Sequence, residues 1–452
     1  MKNRIKGPNT TQLILISFLV AILIGSVLLS LPISTKSGVS VSYIDALFTS
    51  TTATCVTGLV TLPTVSTWSV FGQVVILVLI QIGGLGIITV LSGITVAINR
   101  KIKLKDSRLI GDAFNLNSLE GLMKFLKKVI VGTLIIEGIG ALAYMTVFVP
   151  QFGFSGIWIS IFTSVSAFCN AGIDIIATDS LCSYATNTAI NLITSLLIIL
   201  GGLGYIVWWD VLRVIKDFKT QKFKCFRRLT LHTKIVLSAT AILIFGGAVL
   251  IFIFEYSNPV TIGNMSLFDK LQVSMFQSVT TRTAGFASIP QENLTNSGAI
   301  LSLLLMFIGG SPVGTAGGIK TVTVAVLVFT AYALITNKNE ISVFNRSLSR
   351  QVTRKAVAVS VMSFAIMFIS TLLLSFVMDA SALDILYETV SATATVGLTR
   401  NLTPFLNLWG KLIIICTMYL GRIGPISLAI AFSYSNESSN NIENPTEEIS
   451  VG

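Results

Sequence analysis

Charge is the first thing this chain is short of. Only 11% of its 452 residues are Asp, Glu, Lys or Arg, against 53% hydrophobic. A soluble globular domain carries about 25% charged residues, so there is too little polar surface to face water on all sides. Histidine is almost missing: His232 stands alone, which leaves a His-based metal cluster or His-dependent catalysis nothing to build on. The five cysteines, Cys55, Cys169, Cys182, Cys225 and Cys416, show no C-x-x-C spacing, so neither a metal site nor a disulfide framework is expected. Those in or beside apolar segments read as small hydrophobes. Paired carboxylates and a nucleophile beside a base are also wanting, so an enzyme is not expected and no cofactor is implied. Gly314–Thr321, GTAGGIKT, comes close to a phosphate-binding loop. It fails because Ile319 occupies the second glycine position and no strand precedes it.

What the chain has in quantity is apolar runs of about 20 residues, the length that crosses a hydrocarbon core. The first, residues 12–33, is too long for a signal-peptide core and lacks a small-residue cleavage site, so it reads as a membrane helix. Net charge is +11, and its distribution is informative. Of 31 Lys and Arg, 24 fall at the N-terminus (Lys2, Arg4, Lys6) and in segments 100–128, 213–234 and 338–355. The intervening connections near 32–42, 150–156, 257–266 and 379–383 hold only Lys36. This is the positive-inside asymmetry: basic stretches and both termini are expected in the cytoplasm. A nucleic-acid surface is disfavoured because no basic stretch is interleaved with aromatics.

Repeats come next. Four segments share a short amphipathic run, a Ser/Thr-rich stretch and a closing glycine: 45–59, 159–173, 271–286 and 384–398. The glycines are Gly58, Gly172, Gly285 and Gly397, separated by 114, 113 and 112 residues. A second pattern keeps step: QIGGLGI (81–87), ILGGLGY (199–205), FIGGSPVG (307–314) and YLGRIGP (419–425) begin their glycines 25, 29, 24 and 24 residues later. Each unit therefore reads as an apolar helix (11–31, 126–149, 234–256, 355–378), a segment of about 12 residues too short to span, and a second apolar helix (68–98, 186–212, 297–336, 406–432).

Eight spanning helices keep every basic connection on one side, so the short segments must be re-entrant. The expected fold is an all-α integral membrane protein of four helix–pore-loop–helix repeats in pseudo-fourfold arrangement around a central pore. Its units are residues 1–98, 99–212, 213–336 and 337–432, with a cytoplasmic tail at 433–452. Non-helical backbone at membrane depth must be buried in protein or line a water-filled cavity. An ion leaving water there needs fixed oxygens, which rings of backbone carbonyls supply. Glycine suits the strained φ/ψ that turns them inward. The candidate filter is Val56, Thr57 and Gly58; Asn170, Ala171 and Gly172; Thr283, Ala284 and Gly285; and Thr395, Val396 and Gly397. None is acidic, which favours carbonyl over carboxylate coordination. Asn170 and Arg282 are expected to bring polar side chains near the path. Asp174 is expected at the outer mouth, where it would concentrate cations.

Four T-x-G-type loops in helix–loop–helix units resemble the Trk/Ktr/HKT superfamily of K⁺ transporters over essentially the whole chain. With no helices ahead of the first unit, the chain looks most like KtrB-type membrane subunits. The resemblance implies K⁺ held at filter carbonyls, with Gly58 rather than serine favouring K⁺ over Na⁺, in the cell membrane of a bacterium. It also implies a homodimer regulated by a cytosolic ring of RCK-type, KtrA-like nucleotide-binding subunits. Na⁺ dependence stays open. The alternative is a Na⁺-conducting or cation-coupled secondary transporter, although such carriers typically use inverted repeats and these repeats are parallel.

Residues 309–318, GGSPVGTAGG, hold five glycines and a proline. An interior Gly costs about 1 kcal/mol and Pro about 3, so the helix must break there. The resemblance makes this loop a gate: Gly309, Gly310, Ser311, Pro312, Val313, Gly314, Thr315, Ala316, Gly317 and Gly318. Arg422 replaces the second glycine of the pair in repeat four. It is expected to reach the loop, as a clamp on its carbonyls or as an electrostatic barrier. Lys320 is expected to cap the break or face the cytoplasmic vestibule. Glu137, inside an apolar helix, is expected to be structural rather than a site for a helper ion.

Overall fold

The computed structural model describes residues 10–86, 122–216, 227–338 and 340–424. It is helical apart from a two-stranded hairpin, Ser342–Val343 with Arg346–Ser347. The principal helices are α1 (Thr10–Leu29), α2 (Tyr43–Cys55), α3 (Val70–Leu85), α4 (Leu122–Phe152), α5 (Ser155–Cys169), α6 (Thr188–Leu203) and α7 (Tyr205–Lys216). They continue with α8 (Leu231–Glu255), α9 (Leu267–Thr280), α10 (Asn296–Phe307), α11 (Thr321–Ile335), α12 (Arg350–Val377), α13 (Ala382–Ala394) and α14 (Leu408–Ile423).

Helices α1, α4, α8 and α12 are long and apolar enough to cross a membrane. Their large outward hydrophobics, such as Leu142, Ile242 and Phe376, are exposed, as befits a lipid-facing surface. The short helices α2, α5, α9 and α13 are buried along most of their length despite many Ser and Thr. Three of them begin with the same device. Ser42, Ser266 and Ser381 each accept from the amide of the Asp three residues on, and each hydroxyl donates to that Asp carboxylate at 2.6–2.7 Å. This S-x-x-D cap satisfies an orphan N–H and places an anion at the positive helix end.

The second helix of repeat two differs from expectation: a continuous span is expected over 186–212, but α6 stops at Leu203 and the chain turns by 98° into α7. The break falls at Gly204, with φ 86° and ψ 141°. Gly86 after α3 and Gly424 after α14 adopt nearly the same conformation, φ 82° and 84°, ψ 133° and 140°. In repeat three, α10 and α11 flank the break at residues 308–320. At 12–16 residues, these helices run about 18–24 Å at 1.5 Å per residue. Among the described residues four helices qualify as spans by length and composition, or five if the bent α6–α7 pair counts as one. The expected segments 87–98 and 425–432, residues 100–121 and 217–226 of the basic stretches, the residues Lys2, Arg4 and Lys6, Cys225, and the tail 433–452 lie outside the described residues.

Packing follows a cyclic order. Within each repeat the short helix contacts the long one: α1 with α2, α4 with α5, α8 with α9, α12 with α13. Between repeats, α3 packs on α5, α6 on α9, α10 on α13, and α14 returns to α2. Each second helix thus supports the short helix of the next repeat, and the last closes on the first. The closing seam holds an ion pair, Lys411 Nζ to Asp45 Oδ1 at 2.6 Å, and a bond from Tyr419 Oη to the Leu15 carbonyl at 2.9 Å.

Candidate ion site and the loop beneath it

Three of the four short helices end identically. Val56, Asn170 and Thr395 follow as left-handed caps with φ of 55°, 60° and 50°, and the next amide bonds back five residues, to Thr52, Ser166 and Ser391 carbonyls, at 2.8 Å each. Loop three differs. Its helix ends at Thr280, a turn through Thr281 and Arg282 follows, and Thr283 takes the left-handed conformation (φ 64°). Two residues later come Gly58, Gly172, Gly285 and Gly397, all at positive φ. Non-glycine residues in this region cost about 1–3 kcal/mol each, so the surroundings must hold Val56, Asn170, Thr283 and Thr395 in place. Hydroxyls of the short helices do part of this: Thr52 and Ser391 accept from the amides of Gly58 and Gly397 at 3.0 Å, and Ser166 from that of Ile173 at 3.1 Å.

The four loops meet. A Cβ added to Gly58 would fall 2.5 Å from the Ala171 carbonyl oxygen, and one on Gly172 2.5 Å from that of Ala284. On Gly285 it would collide with the Val396 oxygen, and on Gly397 with the Thr57 oxygen. Each glycine faces the carbonyl one position before the glycine of the next loop, and the fourth faces the first. Twelve candidate residues from distant parts of the sequence are thereby brought to one small region, and no side chain fits at any of the four glycines.

The glycine pairs find their reason here. A Cβ on Gly83, Gly201 or Gly421 would strike the carbonyl of Thr54, Phe168 or Thr393, the last turn of the neighbouring short helix. The glycines let the second helices approach those negative helix ends. A further set was not read from the sequence. Ser50, Ser164 and Ser278 donate to the carbonyls of Ile22, Glu137 and Ile244 at 2.7 Å, and Gly25, Gly140 and Gly247 leave the room for it. The signal was a glycine in each of the first three long helices, masked by the many Ser and Thr of the short ones.

The loop at 309–318 touches three of the four ends, those of α5, α9 and α13. Ser311 and Thr315 amides donate to the Gly202 and Gly201 carbonyls at 2.9 and 3.1 Å, and the Val313 carbonyl accepts from Tyr205 N at 3.0 Å. Thr315 Oγ1 lies 3.1 Å from both the Phe168 carbonyl and Asn170 Oδ1, and Gly317 N donates to Thr283 Oγ1 at 3.1 Å. Gly317 leaves no room for a side chain against Thr395 and the Ala394 carbonyl. Three cations hold the loop's carbonyls: Arg422 takes Thr315 O at 2.7 Å together with Gly83 O, Lys320 takes Ala316 O at 2.6 Å, and Arg282 takes Gly309 O at 3.3 Å. Arg422 is thus a clamp between repeats one and three, and Lys320 caps the break. Arg282 turns toward the loop's first residue.

Two other carboxylates are buried, Asp174 against expectation and Glu137 in the structural role expected of it. Asp174 is buried, its Oδ1 accepting from Ile176 N at 3.3 Å, so it is a loop brace rather than an exposed cation collector. Glu137 is buried against Gln81, whose amide donates to Oε2 at 3.2 Å. Among the described residues no group of His, Cys, Asp and Glu could hold a metal ion.

Long apolar helices around a convergence of short helix ends define a polytopic membrane protein organised to receive something at its centre. Residues 5–444 match the family model TrkH, described as cation transport protein. The chain belongs to the TrkH family and is a membrane cation transporter, not an enzyme. It is 42% identical to the Ktr system potassium uptake protein B of Bacillus subtilis over 98% of this chain and 96% of that one. It is 38% identical to the potassium/sodium uptake protein NtpJ of Enterococcus hirae over 100% and 99%. The potassium transporter TrkH of Vibrio parahaemolyticus shares its fold, with a TM-score of 0.74 over 96% of this chain and 86% of that chain at 18% identity.

Proposed function

We propose that this chain takes K⁺ up across a bacterial cell membrane through a filter of backbone carbonyls at Val56–Gly58, Asn170–Gly172, Thr283–Gly285 and Thr395–Gly397. The observation that carries the reading is the closed cycle of four glycine-to-carbonyl approaches. A ring of peptide oxygens can replace a hydration shell, and the negative ends of four short helices favour a cation at the same place. The repeats are those of residues 1–98, 99–212, 213–336 and 337–432, around one pore, with basic connections and both termini in the cytoplasm. Residues 309–318 are the gate, held shut by Arg422. A B-type Ktr subunit would work as a homodimer with an RCK-type nucleotide-binding partner.

The test is growth of a K⁺-uptake-deficient bacterium at low K⁺, followed by ⁸⁶Rb⁺ uptake into proteoliposomes with and without Na⁺. Rescue and Rb⁺ uptake that K⁺ blocks more strongly than Na⁺ support the reading; saturable uptake of an organic solute instead would overturn it. A Na⁺-conducting reading is favoured by the Enterococcus relative, a potassium/sodium uptake protein. Equal block by Na⁺ and K⁺ would select it.

A further inference from the structure

We propose that the gate loop also sets the filter's ion preference, with Thr315 and Gly317 acting as positioning residues for pore loops two and three. This deepens the filter-and-gate reading and rests on it. Asn170 and Thr283 occupy the same place in their loops, the left-handed residue two before the glycine. Left-handed backbone at a residue with a Cβ persists only where the surroundings over-determine it, and at both positions the side-chain partner belongs to the gate. The Thr315 hydroxyl has one hydrogen to share between Asn170 Oδ1 and the Phe168 carbonyl, each 3.1 Å away. The Thr283 hydroxyl accepts from Gly317 N at 3.1 Å. Among the described residues Asn170 Nδ2 has no partner and the residue is buried, so there Thr315 is the one group bonded to this side chain.

A gate that moved away would take both bonds with it. The backbone at Asn170 and Thr283 would be freer to relax, and the adjoining carbonyls of Ala171 and Ala284, which face Gly58 and Gly172, would lose their fixed spacing. Discrimination between ions of different radius depends on that spacing or on the number and stiffness of the oxygens. The closed gate therefore goes with a rigid, K⁺-preferring ring and the open gate with a softer one.

The experiment is isothermal titration of purified full-length protein in detergent with K⁺ and with Na⁺, alongside ⁸⁶Rb⁺ flux in proteoliposomes, for the parent, Thr315→Val, Thr315→Ser and Thr283→Val. Loss of one buried hydrogen bond should lower the K⁺/Na⁺ affinity ratio about three- to tenfold in each valine variant, with Thr315→Ser restoring it. An unchanged ratio in a valine variant that elutes as a single species overturns the proposal, even if flux rises, because the loop would then be a plug alone. Thr283→Val gives the same reading should Thr315→Val aggregate. A parent protein with no K⁺ preference would instead count against the filter itself, which separates the two failures.

Discussion

At the scale of the residue, the four glycines of the proposed filter show what a substitution would do. At Gly58 any side chain lands on the Ala171 carbonyl, so Gly58→Ser must push an oxygen of the proposed ring out of place. The expected result is uptake that persists with K⁺/Na⁺ discrimination lowered about tenfold or more, measured as Na⁺ inhibition of ⁸⁶Rb⁺ uptake. A tenfold change corresponds to about 1.4 kcal/mol, within the cost of disturbing one ligand carbonyl. Unchanged inhibition would remove Gly58 from the ring. Arg422 makes a second residue-scale case. Its guanidinium spans two carbonyls from different repeats, Thr315 O and Gly83 O, which the compact ammonium of lysine does not reproduce. Arg422→Ala and Arg422→Lys are both expected to raise initial Rb⁺ uptake several-fold. Parental rates in both would mean the clamp does not hold the gate.

At the scale of the element, the break after α6 is the main feature that the sequence concealed, whereas the break at 309–318 was legible in its glycines and proline. Interior glycines cost only about 1 kcal/mol each, so Gly201, Gly202 and Gly204 inside a long apolar run did not fix a helix end at 203. The reason is tertiary: the 309–318 loop lies against it, with Pro312 O next to Gly204 and Val313 O on the Tyr205 amide. Gly204→Ala would need a side chain at φ 86° and would strike Pro312 O. We expect a loss of about 2–4 kcal/mol, strain plus displaced loop, read as a lower midpoint in detergent thermal unfolding. Gly246, with nothing within 4 Å of an added Cβ, is the control: Gly246→Ala should hold or raise the midpoint. The long helices were legible because their apolar runs are continuous, and the expected 234–256 became Leu231–Glu255. The short helices were legible because four Ser/Thr-rich segments recur at one period. Asp174 was misplaced because burial of a loop carboxylate depends on neighbours far away in sequence, and the Ser–Gly pairs between long and short helices were missed for the same reason.

At the scale of the whole molecule, repeat four closes the cycle on repeat one. Lys411 and Asp45 are mostly buried, with side chains 16% and 12% exposed, and they sit 366 residues apart. Lys411→Met leaves the Asp45 carboxylate without its cation, which is more costly than removing both charges. The expected outcome is a fall in thermal midpoint for Lys411→Met that Asp45→Asn in the same chain partly reverses. Additive losses would show that the pair is not coupled.

Because the seam joins the beginning of the chain to its end, the protein's architecture bears on how it is made. During translation the first three loops are complete while α13 and α14 do not yet exist, so Gly285 waits for the Val396 oxygen and Asp45 for Lys411. A ribosome stalled after repeat three would leave a cleft with buried hydroxyls opened to the bilayer. The ring of short helices closes only when α14 arrives, and quality control of a truncated product would have that open wedge to recognise.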